Sequence, residues 1–462
     1  MRALPAVLPM LFLSMPALGQ SAQGEVAVTI YNNDLALVQD VRQINVPAGR
    51  SRQEFPDVSA RIRPETVSFA APDTGIVEQN FDYDLLSPGK LMEKAVGRTV
   101  TIVRINPATG AELREQAKVL AVNGGVVLQI GQRIEVLRDD GLPVRVIFDK
   151  VPDNLRARPT LSITVDSARV GTRPARLSYL TSGLGWKADY VARFDEAAGK
   201  IDLQGWITLN NSTGTSFANA DVVMVAGNPS QNPGQNGRGR SRSDNSALTR
   251  AGTESSVRAR LGDYYLYPLK ERTTIANAQT KQVSFLDVHG TPARKGYEHR
   301  VEWLQTTESP QSAATVLKFT SSRNGGLGDQ LPAGTVRVYM KDAKGDPQFI
   351  GENNIPHTPM GSELAVRTGE AFDVKVKSVV TERTRLGPNR WRTQMRYTLT
   401  NARPEGVTVD LIQDGLDWFW DDTRITTESQ TSERLSSNSA KWKVAIPANG
   451  ETELTATFET RF

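Results

Sequence analysis

Short runs of alternating apolar and polar residues, separated by turn residues, fill most of this 462-residue chain and constrain its fold more than any other feature. A period of two places alternate side chains on one face of a β-strand, and polar partners indicate a sheet with one wet side. In the clearest example, two strands flank a turn at 447–450, and six apolar residues are expected to face one core: Trp442, Val444, Ile446, Leu454, Ala456 and Phe458. The sequence therefore predicts an all-β fold, with antiparallel β-sandwich domains, a small inserted β-barrel and few short helices.

One helix is expected at the start of the predicted barrel. Ser87 is a suitable N-cap, Pro88 suits the first helical position, and Gly97 can end the helix. Leu91 and Ala95 would then share one face of the helix.

The pattern divides the chain into six consecutive segments. They are a signal peptide (1–19), an N-terminal β segment (20–83), a small β-barrel-like domain (84–150), a β-sandwich part (151–230), a Gly/Ser/Arg-rich linker (231–260) and a C-terminal β-sandwich region (261–462).

The first 19 residues are typical of a secretory signal peptide. Arg2 precedes an apolar run at 3–13, and small residues occupy positions 17 and 19, where a signal peptidase would cleave. We therefore expect a periplasmic or secreted protein. No later stretch approaches ~18 apolar residues, so no transmembrane segment is expected. The irregular strands also disfavour an outer-membrane barrel, which needs regular lipid-facing segments.

The net charge of +4 is concentrated in the predicted linker. Residues 231–260 contain six arginines and two acidic residues, with few large apolar side chains, so the sequence predicts a solvated segment. Because this basic run lacks interleaved aromatic residues, nucleic-acid binding is not expected.

Composition argues against most catalytic classes. The chain has no cysteine, which excludes disulfides, thiolate metal sites and thiol chemistry. Its three histidines, His289, His299 and His357, are far apart, and no phosphate-binding glycine loop or nucleophile elbow occurs. No cofactor and no metal are expected, and a non-enzymatic role is favoured over an enzymatic one.

One segment, 414–423, has the composition of a binding or catalytic site. Its speculative binding residues are Trp418, Trp420, Asp417, Asp421 and Asp422. The aromatic rings could stack on a sugar while the carboxylates bind its hydroxyls, and paired carboxylates could hydrolyse a glycosidic bond. In the alternative interpretation the tryptophans anchor a sandwich core and the acids lie at a turn. The spacing is not that of an EF-hand calcium loop.

Several motifs resemble the bacterial domain-of-unknown-function family 4139, which is related to mucoidy inhibitor A-like proteins. The resemblance runs from about Ala175 to the C-terminus and rests on Gly-Leu-Gly-Trp-Lys-Ala-Asp-Tyr at 183–190, Tyr-Pro-Leu at 267–269, Leu-Pro-Ala-Gly at 331–334 and Phe-Ile-Gly-Glu at 349–352. It implies an exported, β-rich protein without an assigned reaction, and it provides no catalytic residues. From the residues alone, Gly183 and Gly185 allow a tight or positive-φ turn, after which Trp186 packs into a core.

Two functional hypotheses follow. The first is an exported cell-envelope protein with a non-catalytic binding or scaffolding role, whose partner is an envelope protein or a glycan. The second is an envelope glycan-binding protein or hydrolase that uses segment 414–423. The oligomeric state is left open by the sequence.

Overall fold

The computed structural model describes residues 22–82, 85–137, 144–152, 155–227, 229, 247–255, 258–417 and 422–461. Strands account for nearly all of the regular structure in these ranges, which confirms the all-β prediction. The first fifteen strands and the helix are β1 (Glu25–Tyr31), β2 (Leu35–Val46), β3 (Gly49–Pro56), β4 (Ser68–Ala70), β5 (Thr74–Asp82), α1 (Pro88–Lys94), β6 (Thr99–Ile105), β7 (Glu112–Val122), β8 (Val126–Ile130), β9 (Arg133–Leu137), β10 (Val144–Ile147), β11 (Thr160–Ser167), β12 (Gly171–Thr181), β13 (Leu184–Asp195), β14 (Lys200–Asn211) and β15 (Phe217–Ala226).

Sixteen further strands follow, and a 3-10 turn lies at Pro64–Thr66. These strands are β16 (Leu248–Arg250), β17 (Arg260–Leu261), β18 (Tyr264–Pro268), β19 (Thr273–Ile275), β20 (Gln279–Pro292), β21 (Arg294–Val301), β22 (Gln311–Thr320), β23 (Gly334–Lys341), β24 (Pro347–Ile355), β25 (Glu363–Gly387), β26 (Arg390–Asn401), β27 (Val407–Gln413), β28 (Asp422–Glu428), β29 (Glu433–Arg434), β30 (Ala440–Ile446) and β31 (Gly450–Arg461). No helix in the described ranges is long and apolar enough to cross a membrane.

The chain forms two compact units that are interleaved along the sequence. Unit 1 takes the described parts of Met1–Gly185, Asn210–Met224 and Pro268–Thr280. Unit 2 takes those of Trp186–Leu209, Val225–Tyr267 and Lys281–Phe462. Each unit therefore draws on several separate stretches, whereas the sequence predicts consecutive domains.

A mixed sheet forms the centre of unit 1. Its strands follow the order β15-β1-β2-β12-β4, and β19 pairs with β15. The β1–β15 pairing is parallel, with Ala27 opposite Asp221, and the other pairings along this order are antiparallel where their registers are given. Alternate residues of β1, namely Val26, Val28 and Ile30, are almost fully buried, as a strand with one core face requires. A separate three-stranded sheet has the order β3-β11-β5.

A five-stranded antiparallel sheet occupies the place of the predicted barrel. Its order is β10-β6-β7-β8-β9, and side chains from all five strands contact one apolar cluster. Helix α1 closes this cluster with Met92 and Ala95. The predicted helix is confirmed: the Ser87 hydroxyl accepts a hydrogen bond from the Lys90 amide at 3.2 Å.

Unit 2 contains a sandwich made from one large sheet that folds over on itself. The strand order is β28-β31-β26-β25-β22-β21-β27-β30-β29, with β16 added beside β25. The six C-terminal core residues expected from the sequence all lie in the same buried cluster, which confirms that expectation. However, β30 pairs with β27 while β31 pairs with β26, so the turn at 447–450 joins the two layers and does not close a hairpin.

Strand β25 belongs to both layers because it bends. Its first part pairs with β22, and its second part, from Val374, pairs with β26. At the bend, residues 371–374 of β25 stand opposite the single residue Ala313 of β22. A bulge of this kind kinks a strand and lets one sheet fold over.

A second sheet of unit 2 carries the motif around Trp186. The order is β20-β14-β13-β23-β24, and the β13–β23 pairing is parallel. Trp186 is 9% exposed and its ring contacts that of Tyr267 at 6.2 Å between centroids, which confirms it as a core residue. The Tyr190 hydroxyl donates to the Pro332 carbonyl at 2.7 Å, so two of the family-like motifs meet here.

Of the segment predicted as a solvated linker, residues 247–255 and 258–260 are described, and some of them contact distant parts of unit 2. Ala247 is buried, and β16 pairs with β25. Arg258 forms a bidentate ion pair with Asp329, with Nε 3.0 Å from Oδ1, and its guanidinium lies 4.5 Å above the Tyr267 ring. Most of these residues are exposed, as expected of a linker, but Ala247 and Arg258 have specific non-local partners, which charge and small side chains do not predict; the linker assignment as a whole stays a prediction.

Candidate functional site

The predicted site in segment 414–423 falls largely outside the described residues. Trp418, Trp420 and Asp421 are not described. Asp417 is exposed, and its amide donates to the Asn438 side chain at 3.2 Å. Asp422 begins β28, where its main chain pairs opposite Arg461. The glycan hypothesis therefore stays a prediction.

The remaining sequence candidates for chemistry do not form a site. Within the described ranges, no group of three or more His, Cys, Asp or Glu side chains is close enough to hold a metal ion. Burial lowers the pKa of both His299 and His357. His299 is enclosed in the sandwich, and His357 accepts a hydrogen bond from the Ala333 amide at 3.1 Å. Both are explained by structural roles.

A pocket of about 310 Å³ lies in unit 2 beside the bend of β25. Phe194, Met340 and Ile350 form one part of its wall, and Tyr297 with Val316 forms another. Small-molecule sites are typically concave, mostly apolar and a few hundred Å³ in volume. This pocket, which we call the bulge pocket, is of the size that accepts one ring or a short aliphatic group.

Phe372 lies at the edge of the bulge pocket and is the most exposed large apolar side chain of the described residues, at 88%. The bulge explains its position, since Ala371 and Val374 both face the core and the two residues between them are directed away from it. The Lys375 ammonium lies 5.7 Å from its ring centroid. An exposed aromatic ring beside an apolar recess favours binding of an apolar group.

The charges at the rim of the bulge pocket are mostly paired. Lys295 lies 3.0 Å from Glu196, and Glu370 lies 3.3 Å from Arg367. Arg403 donates two hydrogen bonds to Glu405, and this contact raises the pKa of the guanidinium.

The pocket wall depends on a close approach of two strands. Gly351 of β24 lies against the backbone of β25, where an added Cβ would come within 1.9 Å of the Thr368 carbonyl oxygen. Only glycine permits this approach, which fixes Ile350 beside Gly369 in the pocket lining.

Sequence reasoning missed the bulge pocket, and no local signal reveals it. Phe372, Val374 and Val376 are each two residues apart, so regular alternation would place Phe372 on the buried face with the two valines. The bulge reverses this expectation, because Ala371 faces the core in its place and Phe372 is exposed. The other pocket walls come from β13, β21, β22, β23 and β24, whose convergence no local pattern indicates.

The geometry defines an all-β protein with a small apolar pocket and paired rim charges. Residues 175–462 match the family described as Domain of unknown function (DUF4139), and the chain belongs to that family. No curated protein matches the chain significantly.

Proposed function

We propose that the protein is an exported cell-envelope protein with a non-catalytic binding role, and that the bulge pocket is its binding site. The occupant is an apolar group, either a small molecule or a side chain of a partner. The export part of the proposal rests on the signal-like residues 1–19.

The observation that carries this proposal is Phe372, a nearly fully exposed ring held beside an apolar recess. Leaving such a ring in water costs roughly 1.5–3 kcal/mol relative to burial, which a bound apolar group would recover. Three of the four charged lining residues, Lys295, Arg403 and Glu370, already have an opposite charge, and Asp373 has no second free carboxylate or base beside it in the described lining, which favours binding over acid–base chemistry. A general acid or base needs a group free to exchange its proton with a substrate.

Binding can be tested with the neutral fluorescent probe N-phenyl-1-naphthylamine, titrated into the full chain. Phe372→Ala removes the exposed ring, and Met340→Lys places a charge in the pocket wall. Both variants are expected to weaken probe binding by about tenfold or more, since each removes or disfavours apolar burial.

Phe349→Ala is the matched control. Phe349 is an exposed aromatic residue that packs on Tyr339 and does not line the pocket, so its loss should leave probe affinity unchanged. Equal loss in Phe349→Ala and Phe372→Ala, at equal melting temperatures, would contradict the pocket assignment.

Export is tested separately by determining the N-terminus of the protein recovered from the envelope fraction. We expect cleavage after residue 19. Recovery of the chain in the cytoplasm with residues 1–19 intact would contradict export without affecting the pocket result.

A further inference from the structure

A second, larger recess lies on the solvent side of the folded sheet in unit 2. Its volume is about 900 Å³, and it crosses seven neighbouring strands in the order β16-β25-β22-β21-β27-β30-β29. Six strand spacings of ~4.8 Å give it a length of about 29 Å along the sheet. We call it the cross-strand groove. It shares no lining residue with the bulge pocket, although β21, β22 and β25 contribute different residues to both.

The groove is cationic. Seven Lys or Arg residues and four Asp or Glu residues line it. The four acidic residues are engaged in ion pairs: Lys318 with Asp410, Arg300 with Glu298, Lys441 with Glu433, and Arg250 with Glu363. Each of these carboxylates thus neutralises a cation of the groove itself.

Three exposed cations are left without an ion pair to any described carboxylate: Arg294, Arg434 and Lys443. Lys443 illustrates why. It stands directly opposite Asp410 in the β27–β30 register, but Asp410 binds Lys318 from two strands away. Arg434 donates only to the Ser437 carbonyl. The excess positive charge therefore faces solvent along the groove.

The shape and the remaining lining select among anionic partners. A lipid bilayer presents a flat surface, whereas the cations here line a recess that runs across seven strands. Bases are bound largely by stacking on aromatic rings, and Phe319 is the single aromatic residue among the described lining, nearly buried in the floor. Exposed Leu435 and half-buried Leu248 instead provide aliphatic contacts at the two ends. A chain of carboxylates with aliphatic residues between them fits both features.

We propose that the cross-strand groove binds an extended acidic segment of a partner protein. The segment lies across the strands, its carboxylates pair with Arg294, Arg434 and Lys443, and its aliphatic side chains contact Leu248 and Leu435. At ~3.3 Å per extended residue, about nine residues span the groove. This site is separate from the bulge pocket, so the proposal for one site can be confirmed while the proposal for the other is contradicted.

The test is fluorescence anisotropy of a fluorescein-labelled ten-residue glutamate peptide titrated with the full chain. We expect saturable binding that weakens by about tenfold or more when salt rises from about 50 to about 500 mM, because the contacts are exposed ion pairs. The double variant Arg294→Glu/Lys443→Glu should weaken binding by about tenfold or more. Arg294→Gln/Lys443→Gln, which removes the charges without adding acids, should show an intermediate loss.

The matched control is Arg176→Glu/Arg396→Glu, which changes the net charge equally at exposed positions outside the groove. It should retain most of the affinity. Equal loss in the two charge-reversal variants would show an effect of net charge alone and would overturn the site.

Competition identifies the partner class. Oligogalacturonate and oligothymidylate of equal charge should displace the peptide about tenfold less well than unlabelled peptide. Equal or better displacement by either would overturn the assignment to an acidic peptide, and no detectable peptide binding at low salt would overturn the proposal altogether.

Discussion

Gly183 and Gly185 belong to the same motif, but only the backbone at Gly183 requires a glycine. Gly183 has a φ of +89°, and a Cβ there would lie 2.9 Å from the Arg61 side chain and 3.2 Å from the Ser212 carbonyl oxygen. Its amide donates to the Asp34 carboxylate at 2.6 Å, so the backbone has little freedom to move. Gly185, two residues later, has no neighbour within 4 Å of a built Cβ and has no positive φ.

We therefore predict that Gly183→Ala lowers the free energy of unfolding by about 1–3 kcal/mol, because alanine is strained at this φ. Gly185→Ala, the matched control, should change it by less than about 0.5 kcal/mol. Urea denaturation followed by circular dichroism measures both. Equal effects of the two substitutions would contradict the assigned backbone requirement.

Asp189 lies in the same motif at 183–190 and is the ionisable residue there with the most side-chain partners. Burial disfavours its charged form, but the Arg337 guanidinium at 3.0 Å, the Lys187 ammonium and the Thr208 hydroxyl together hold its pKa below the ordinary value. A carboxyl whose pKa is depressed on folding stabilises the fold above its unfolded pKa of about 3.9 and loses that contribution as pH falls through the folded pKa.

Asp189→Asn should accordingly destabilise the protein at pH 7 by about 1 kcal/mol, since it removes a shielded carboxylate from two cations that are themselves partly exposed to water. The difference from the unsubstituted protein should begin to shrink below about pH 4, where Asp189 of the unfolded chain takes up a proton, and should be lost as pH falls through the depressed pKa of the folded state. Denaturation curves at pH 7, 5, 4 and 3 measure this. Asp263→Asn, at an exposed position, is the control, and a pH-independent difference for Asp189→Asn would refute the electrostatic explanation.

At the scale of elements, residues 258–267 form a docked segment to which Arg258 contributes contacts at one end and the buried Tyr267 at the other. Arg258 contributes both the ion pair to Asp329 and the stacking on Tyr267, and both partners are mostly shielded from water. Arg260, two residues later, stacks on Tyr265 on the exposed side.

Arg258→Ala should loosen the docked segment without unfolding the protein. We expect amide hydrogen exchange across residues 258–267 to become about tenfold faster, while the folded sheet of unit 2 keeps its protection. Arg260→Ala should leave exchange near its original rate. Protection unchanged in Arg258→Ala would show that other contacts hold the segment.

The elements that local pattern specifies were predictable, and those that depend on distant partners were not. The Ser87 cap, the helix it begins and the buried face of Trp442 to Ile446 all follow from residues within one turn or strand. The partner of β30 could not be predicted, because alternation identifies a strand's faces but not its neighbour. The parallel pairings β1–β15, β13–β23 and β21–β27 could not be predicted for the same reason.

The same distinction applies to the candidate site. The exposure of Phe372 could not be predicted, since its regular spacing with Val374 and Val376 favours a buried position and only the bulge opposite Ala313 turns it outward. The bulge pocket around it is built by residues from Phe194 to Arg403, and only the fold brings them together. The aromatic and acidic residues of 414–423 remain a compositional hypothesis.

At the scale of the whole molecule, the family match begins inside a sheet. Residue 175 lies within β12, which pairs with β2 and β4, and β15 pairs with β1. The strands β1, β2 and β4 all precede the matched region. The folded sheet of unit 2, in contrast, takes its core from Tyr297 onwards.

A fragment of residues 175–462 should therefore keep the folded sheet of unit 2 but lose protection in β12 and β15, whose edges would be unpaired. Hydrogen exchange resolved by peptide, compared with the full chain, measures this. Native protection of 175–181 and 217–224 in the fragment would show that the family region folds independently.

The parallel pairing of β1 with β15 also has a kinetic consequence. Ala27 cannot meet Asp221 until roughly 190 further residues have been made, and closing so long a loop is slow. At a synthesis rate of about 5–20 residues per second, the edge of β1 that pairs with β15 stays open for about 10–40 s, even if β2 already covers the other edge. Throughout that interval the open edge is a place where another strand or a holdase chaperone can bind the emerging chain.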